Sequence, residues 1–282
     1  MTEREASKSM VASLEEVCTH DHDRFLTLLF APSAKRPALT ALYAFNIEIA
    51  RVAEAVTEPM MGHIRLQWWR ETLEGLPRGE TRGHAAAEAL HEAGGIPLDK
   101  LQALIDARER DLSEDAFPDM SALEDYAVQT SSALMTIAAE ILAGWDAARN
   151  AALPIRHAGI AYALTGILRA LPVHASHGRL LLPADILGRH EVDPHDVLAG
   201  RMTEGLRAAM HEVAGAARTH LAAARSHTVE PTLIPALLPA SLCDRHLDIM
   251  SAREFDPFRN PVEVPAFRRQ LRLLGRSLLK RI

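Results

Sequence analysis

The first candidates for chemistry are histidines whose spacing could suit a metal ion. His174 and His177 are three residues apart, and His157 lies upstream of them. A transition-metal site needs a further ligand at a suitable distance, and no cysteine or third ligand accompanies this group at such a spacing. Pro172 also interrupts the helix that would present both histidines on one face. We therefore expect no transition-metal site here.

A second polar cluster, the run His20-Asp21-His22-Asp23, contains the same residue types. An Asp side chain before a helix accepts hydrogen bonds from the first free backbone N–H groups of that helix. We interpret the run as a polar turn in which Asp21 or Asp23 caps the helix that contains residues 25–30.

The 282 residues include 37 acidic and 31 basic side chains, a formal net charge of −6. The arginines are scattered, which argues against nucleic acid as a partner. The two cysteines, Cys18 and Cys243, exclude a disulfide scaffold and a four-cysteine metal site. No apolar run of about 18 residues occurs, and residues 1–8 are polar and do not resemble a signal peptide. We expect a cytoplasmic protein whose abundant acids could still serve metal-assisted chemistry.

Helical periodicity dominates the sequence, and strand-like alternation is nearly absent. Apolar residues recur every three or four positions over 37–56, at Leu39, Leu42, Phe45, Ile49, Val52 and Val56. The same test predicts helices over 62–76, 85–93, 98–112, 121–142, 154–171, 203–227, 236–252 and 264–282. Residues 172–194 are predicted to be irregular. The prediction is an all-α single domain over 21–282, with residues 1–20 as an N-terminal extension or first helix.

Two segments together resemble the signatures of the squalene/phytoene synthase family. Residues 43–54 read YAFNIEIARVAE, similar to a first signature in which Tyr-Ala-Phe-Cys-Arg precedes an Asp-rich stretch. Residues 164–169 read LTGILR and are followed by Gly178-Arg179, similar to the second signature. The resemblance covers about residues 25–282. It implies the isoprenoid-synthase fold, a helical bundle around a central cavity, in which two Asp-rich motifs hold Mg²⁺ and the diphosphates of two prenyl donors.

The sequence departs from the family at the positions of both Asp-rich motifs. The aligned positions are Ala50, Arg51 and Glu54 in the first motif, and Ala170, Val173 and His174 in the second. Only Glu54 is a carboxylate, whereas Mg²⁺ prefers several hard oxygen ligands. We therefore expect no cofactor. Mg²⁺ is expected only under the alternative that the protein is an active prenyltransferase of the squalene or phytoene synthase type.

A narrower resemblance connects the chain to a divergent branch of the family. Residues 168–175, 129–132 and 68–71 are similar to that branch, which includes a mitochondrial complex I assembly factor and its bacterial relatives. The resemblance implies a catalytically degenerate homologue that acts in biogenesis of respiratory NADH:quinone oxidoreductase. Its implied partners are subunits or assembly intermediates of that complex, and a prenyl lipid or quinone is a candidate ligand of the old cavity.

The candidate cavity residues follow from this alignment. They are Tyr43, Ala50, Arg51, Glu54, Gln129, Arg169, Ala170, Val173, His174 and Arg179. Their arginines could bind an anionic or lipidic ligand, or could form an internal ion-pair network in place of the metal cluster. In the second case, which we favour, Arg51 could pair with Glu54 three residues later.

The last predicted helix, over 264–282, is amphipathic. Its apolar stripe contains Phe267, Leu271, Leu274 and Leu278, and six Lys or Arg residues surround that stripe. Such a helix could lie peripherally on the inner face of a membrane. Alternatively, it is a final bundle helix whose cations complement its C-terminal dipole.

Overall fold

The structure is a computed structural model that describes residues 7–113, 115–260, 262 and 264–282. Within these ranges every regular element is a helix, which confirms the predicted all-α class. The helices form two compact units, each built from two stretches of chain. The first unit is Met1–Ser113 with Thr136–Arg149, and the second unit is Glu114–Met135 with Asn150–Ile282.

The α-helices follow one another along the chain with short connections. They are α1 (Lys8–His20), α2 (His22–Leu28), α3 (Arg36–Ala50), α4 (Pro59–Gly75), α5 (Ala85–Ala93), α6 (Leu98–Arg108), α7 (Met120–Ala127), α8 (Ala133–Ala143), α9 (Trp145–Asn150), α10 (Ala152–Arg169), α11 (Leu171–Ser176), α12 (Ala184–Arg189), α13 (Pro194–Leu198), α14 (Glu204–Arg225), α15 (Ile234–Leu237), α16 (Cys243–Met250) and α17 (Ala266–Leu278). Short 3₁₀ turns occupy Ser33–Lys35, Leu76–Arg78, Glu109–Leu112, Pro231–Leu233 and Leu238–Leu242. Among the described residues, no helix is long and apolar enough to span a membrane.

The core of the first unit is built around α3, which packs against α1 and α5. The predicted stripe of α3 is buried, and the ring of Phe45 meets Trp69 of α4 edge-on at 5.3 Å between centroids. Trp69 is buried and the adjacent Trp68 is half-buried, because neighbouring residues on a helix point about 100° apart. The predicted N-terminal cap of α2 is also present, since Asp21 Oδ1 accepts a hydrogen bond from the Arg24 backbone N–H at 3.2 Å.

Helix α3 ends six residues earlier than the periodicity predicts, at Ala50 instead of Val56. Arg51 is its C-terminal cap, and the following residues form turns in which the Glu54 N–H donates to the Arg51 carbonyl at 3.1 Å. Pro59 restricts the residue before it to an extended backbone, and Glu58 has that conformation. The helix must therefore stop before this point, and the residues of the first aligned motif lie on a helix end and a turn.

The second unit packs α10 against α14. The predicted helix over 121–142 instead contains a π-helical turn, Val128–Ser132, between α7 and α8. Ser132 of this turn donates its hydroxyl to the Arg156 carbonyl at 2.8 Å. A Cβ added to Gly159 of α10 would lie 2.4 Å from the Cα of Ser132. Only glycine at this position lets α10 approach the π-helical turn so closely.

Two further predictions about local structure are wrong. Residues 172–194, predicted to be irregular, contain α11 and α12, because a proline is well placed in the first turn of a helix and Pro172 lies there in α11. Residues 236–252, predicted as one helix, are divided among α15, a 3₁₀ turn and α16. Pro239 in that turn lacks an N–H and cannot continue an α-helical ladder.

Candidate functional site

The first aligned motif lies beside a cleft of about 260 Å³ in the first unit. The cleft is lined by Glu16, Ile47, Glu48, Arg51, Val52, Glu54, Ala55 and Arg65. Both signs of charge therefore line this cleft, which we call the first-unit cleft. Of the three aligned positions, Arg51 and Glu54 contribute to it and are exposed, whereas Ala50 is half-buried and is not part of the lining.

Arg51 pairs with Glu16 of α1 and not with Glu54, the partner that the sequence predicts. The Arg51 Nη1 atom lies 3.4 Å from Glu16 Oε1. The predicted pairing is wrong because α3 ends at Ala50, so Arg51 and Glu54 do not share a helix face. A pair this exposed contributes little to stability, but it partly neutralises the positive charge at the former motif position.

Tyr43, the first residue of the first signature, is buried in the first unit. Burial raises the pKa of its hydroxyl to about 12, and the neighbouring Arg24 opposes that shift. The Arg24 guanidinium lies 5.7 Å from the centre of the tyrosine ring and pairs with Asp21. Tyr43 thus belongs to a buried polar cluster and does not line the first-unit cleft.

The second aligned motif lies at a break between two helices of the second unit. Helix α10 ends at Arg169, Ala170 separates the helices, and α11 begins at Leu171. A cleft of about 480 Å³ opens there, lined by Gly166, Arg169, Ala170, Pro172, Val173, Pro257, Phe258, Arg259 and Val262. Among the described residues, the lining of this second-unit cleft is apolar apart from two arginines and includes no acidic side chain, although Arg259 lies 3.5 Å from Asp256 outside the lining. It can accommodate an apolar chain with a polar or anionic end.

Three of the predicted cavity residues do not line the second-unit cleft. Gln129 lies on the π-helical turn and is exposed. His174 and Arg179 are half-buried and joined through the backbone, where the Arg179 N–H donates to the His174 carbonyl at 2.8 Å. Arg169, Ala170 and Val173 are the sequence-predicted residues in the described lining of the second-unit cleft.

The second-unit cleft has a wall that the sequence did not indicate. Pro257, Phe258 and Arg259 come from an irregular segment about 90 residues after Arg169, and no periodic pattern connects the two. In the first-unit cleft, Glu16 was equally unforeseen, because only the packing of α1 on α3 brings it to Arg51. The sequence signal for this wall would have been the adjacent aromatic and basic residues, Phe258 and Arg259.

The residues at the aligned positions do not fit a magnesium cluster. Mg²⁺ takes oxygen ligands, yet the positions in the second unit hold Ala170, Val173 and His174. Among the described residues, no group of three or more His, Cys, Asp or Glu side chains could hold a metal ion. His157 instead makes a 2.8 Å hydrogen bond to His220 between their Nδ1 atoms, and burial lowers the pKa of His157.

Both cysteines are free thiols. Cys243 is buried near Thr165 and Arg169, and its burial raises the pKa of the thiol to about 12. The thiolate is the reactive form of cysteine, so this group is chemically inert at neutral pH.

Comparisons with known proteins agree with this geometry. The squalene/phytoene synthase family profile matches residues 17–274. The NADH dehydrogenase (ubiquinone) complex I assembly factor 6 of Bos taurus is 31% identical over 270 residues, which cover 94% of this chain and 79% of that protein. The factor of the same name from Homo sapiens is 31% identical over 250 residues, covering 87% and 74%.

A solved structure shows the same fold. The crystal structure of a dehydrosqualene synthase in complex with ligand has a TM-score of 0.83, with 17% sequence identity and coverage of 97% of each chain. That likeness confirms the predicted isoprenoid-synthase fold. The profile match spans most of the chain, and the chain therefore belongs to the squalene/phytoene synthase family.

Proposed function

We propose that this protein acts in the assembly of respiratory NADH:quinone oxidoreductase (complex I) and does not catalyse prenyl transfer. The observation that carries the proposal is the loss of carboxylates in a chain that keeps the family's fold. Among the aligned motif positions only Glu54 is acidic. Two relatives that match most of the chain bear the name of a complex I assembly factor, which supports the same role.

The proposed partners are subunits or assembly intermediates of complex I. The protein would bind these partners on the cytoplasmic side of the membrane. Segment 264–282 would contact the inner face of the membrane peripherally. The protein would act through binding, because ionising an allylic diphosphate requires charge neutralisation that one carboxylate cannot organise through metal ions.

A bound lipid is the second part of the proposal. The second-unit cleft has apolar walls, including Phe258 and Val173, and the arginines Arg169 and Arg259 at its lining. A prenyl chain or quinone fits this distribution, with its polar end at the arginines and its chain on the apolar surface. We propose that this cleft holds the lipid.

A deletion strain tests the assembly role. We expect loss of the gene to lower the amount of assembled complex I and the NADH:quinone oxidoreductase activity of isolated membranes. A plasmid copy of the gene should restore both, whereas an empty plasmid should not. Normal assembly and activity in the deletion strain would refute the role.

The alternative function is prenyl transfer, and one observation favours it. Arg169 and Arg259 could bind diphosphate oxygens, as guanidinium groups commonly do. Incubating the purified protein with Mg²⁺ and either farnesyl or geranylgeranyl diphosphate tests this directly. We expect no presqualene diphosphate, squalene or phytoene above the background without protein, and product formation would overturn the non-catalytic proposal.

The lipid is tested separately from the assembly role. Native mass spectrometry of the purified protein should show an added mass that organic extraction identifies as a prenyl lipid or quinone. Protein that carries no such mass, and gains none when incubated with ubiquinone in detergent, would refute the lipid-binding part alone.

A further inference from the structure

Helix α17 turns its apolar stripe away from the protein. Phe267 is 68% exposed, Leu271 50%, Leu274 46% and Leu278 74%. These residues follow one another at intervals of four, three and four, so they form one ridge along the helix. Only Leu273, on another face, is buried. Exposed contiguous apolar surface of this kind usually marks an interaction site, since it is costly to leave in water.

The same segment has a charge opposite to that of the rest of the chain. Residues 266–282 contain six Lys or Arg residues and no acid, whereas the other residues hold 25 bases and 37 acids. The remainder of the protein thus carries a net charge of −12. Such an asymmetry would orient the molecule with this segment toward a negative surface.

The cations of α17 lie on the faces that flank the ridge or point away from it. Arg272 binds the Ser241 carbonyl and pairs with Asp244, which also pairs with Arg225 at 2.7 Å. Partial burial, with the charges of Arg225 and Arg272 close by, lowers the pKa of Arg276. One carboxylate therefore stands among three guanidinium groups, and positive charge is left in excess.

Two clefts open along this helix, and cations line both. The first, which we call the Lys280 cleft, has a volume of about 480 Å³ and is lined by Arg225, Ser226, His227, Thr228, Val229, Ile234, Arg276, Lys280, Arg281 and Ile282. The second, the Arg245 cleft, has about 280 Å³ and is lined by Leu242, Arg245, His246, Val264, Arg268, Arg269 and Arg272. Among the described residues, neither lining includes an acidic side chain, although Arg225 in the Lys280 cleft donates to the Ile282 carbonyl at 3.0 Å and pairs with Asp244. Guanidinium and ammonium groups are the side chains that bind phosphate oxygens most readily.

Resting on the membrane contact of the proposed function, we propose that α17 lies in the surface of an anionic phospholipid bilayer, with its apolar ridge among the acyl chains and lipid phosphate groups in the Lys280 and Arg245 clefts. In an interfacial helix the apolar face is below the phosphate level, and long cationic side chains reach upward to the phosphates. The exposed ridge and the cationic clefts have this arrangement. A bilayer supplies both an apolar layer for the ridge and phosphate groups for the clefts.

Vesicle flotation with the full chain tests the proposal. We expect binding to phosphatidylcholine vesicles that contain phosphatidylglycerol to exceed binding to pure phosphatidylcholine by at least about ten-fold, because each basic residue near an anionic surface adds attraction. Raising the salt concentration to about 0.5 M should weaken the binding. The double variant Leu271→Asp/Leu278→Asp should lose binding by a similar factor. These positions are exposed, so circular dichroism and thermal melting should remain unchanged.

Matched variants separate the contribution of the apolar ridge to vesicle binding from that of the cations in the two clefts. Leu153→Asp changes a leucine of similar exposure outside α17 and should bind like the wild type. Lys280→Glu/Arg268→Glu removes one cation from each cleft and should abolish the preference for anionic vesicles.

Free inorganic phosphate at millimolar concentration should not compete with vesicles for the protein, because the ridge contributes to binding only with a bilayer. Equal binding to both vesicle types, effective competition by phosphate, or ridge-dependent dimerisation in place of vesicle binding would each overturn the proposal. Vesicle binding uses the purified protein, so its failure would leave the assembly role intact.

Discussion

The first-unit and second-unit clefts correspond to the two signatures of one family, and their linings differ. The first-unit cleft combines three glutamates with two arginines, and Arg51 has a carboxylate partner in Glu16. The described lining of the second-unit cleft has two arginines, apolar walls and no acid, and its Arg259 pairs with Asp256 outside the lining. The two clefts therefore present different surfaces: charges of both signs in the first, and apolar walls with two arginines in the second, where we propose the lipid.

The largest effect is expected where the second unit depends on close packing. Gly159→Ala places a Cβ 2.4 Å from the Ser132 Cα, so backbone must move. We expect a loss of about 2 kcal/mol in the free energy of unfolding, the usual cost of overpacking. Gly215→Ala in α14 meets nothing within 4 Å and should be neutral or slightly stabilising. Equal urea midpoints for the two variants would contradict the importance of this contact.

A smaller effect should follow from the buried thiol of the second unit. The pKa of Cys243 is about 12 in the folded protein, while an unfolded thiol titrates near about 8.5. A raised folded pKa means that stability is lost as pH rises above the unfolded value. As the pH rises through about 8.5 to 9.5, the thiol should lower the unfolding free energy by about 1.4 kcal/mol in total.

Urea unfolding across this pH range tests the thiol's contribution. Cys243→Ala should remove that part of the decline, and Cys18→Ala, in the first unit, serves as the matched control. A decline of the same slope in Cys243→Ala would show that the thiol does not titrate as described.

Lipid binding is expected to depend on the apolar wall of the second-unit cleft. Val173→Asp places a charge at a position that is 47% exposed, so folding should be preserved. We expect lipid retention to fall at least about ten-fold, because the apolar chain of a bound lipid would cover the new carboxylate and remove it from water. Native mass spectrometry measures the bound fraction, with Leu153→Asp as the control. Unchanged retention would place the lipid elsewhere.

The smallest effect concerns the first-unit cleft. Arg51→Ala removes an exposed ion pair, and exposed pairs usually contribute less than about 1 kcal/mol. We expect a shift of the urea midpoint close to experimental error and normal complex I activity in a complemented strain. A large loss of stability would mean that the Arg51–Glu16 pair has a structural importance that its exposure does not indicate.

The sequence predicted most of the fold because apolar periodicity reports burial directly. The α3 stripe, including Phe45, is buried as expected, whereas the equally regular stripe of α17 is exposed, because periodicity cannot tell whether protein or solvent covers a helix face. Helix ends were harder to predict, because the apolar periodicity continues through Val52 and Val56, past Ala50, where α3 ends. The π-helical turn was not predicted, because the close contact between Gly159 and Ser132 depends on tertiary packing and leaves no local sequence pattern.

The candidate site was predicted less completely. The motif alignment placed Arg169, Ala170 and Val173 beside one cleft, because these residues are close in sequence. Glu16 lines the first-unit cleft and Phe258 the second-unit cleft because of tertiary packing, which local sequence patterns do not report.

The central claim is that no carboxylate chemistry remains at the aligned motifs, and Glu54→Gln tests it most directly. This variant removes the one acid left at those positions and preserves its size and exposure. The measurement is NADH:quinone oxidoreductase activity in membranes of the deletion strain complemented with the variant, beside wild-type and empty-plasmid controls. We predict full restoration. Activity at the empty-plasmid level, from a variant that melts at the wild-type temperature and accumulates normally, would contradict it.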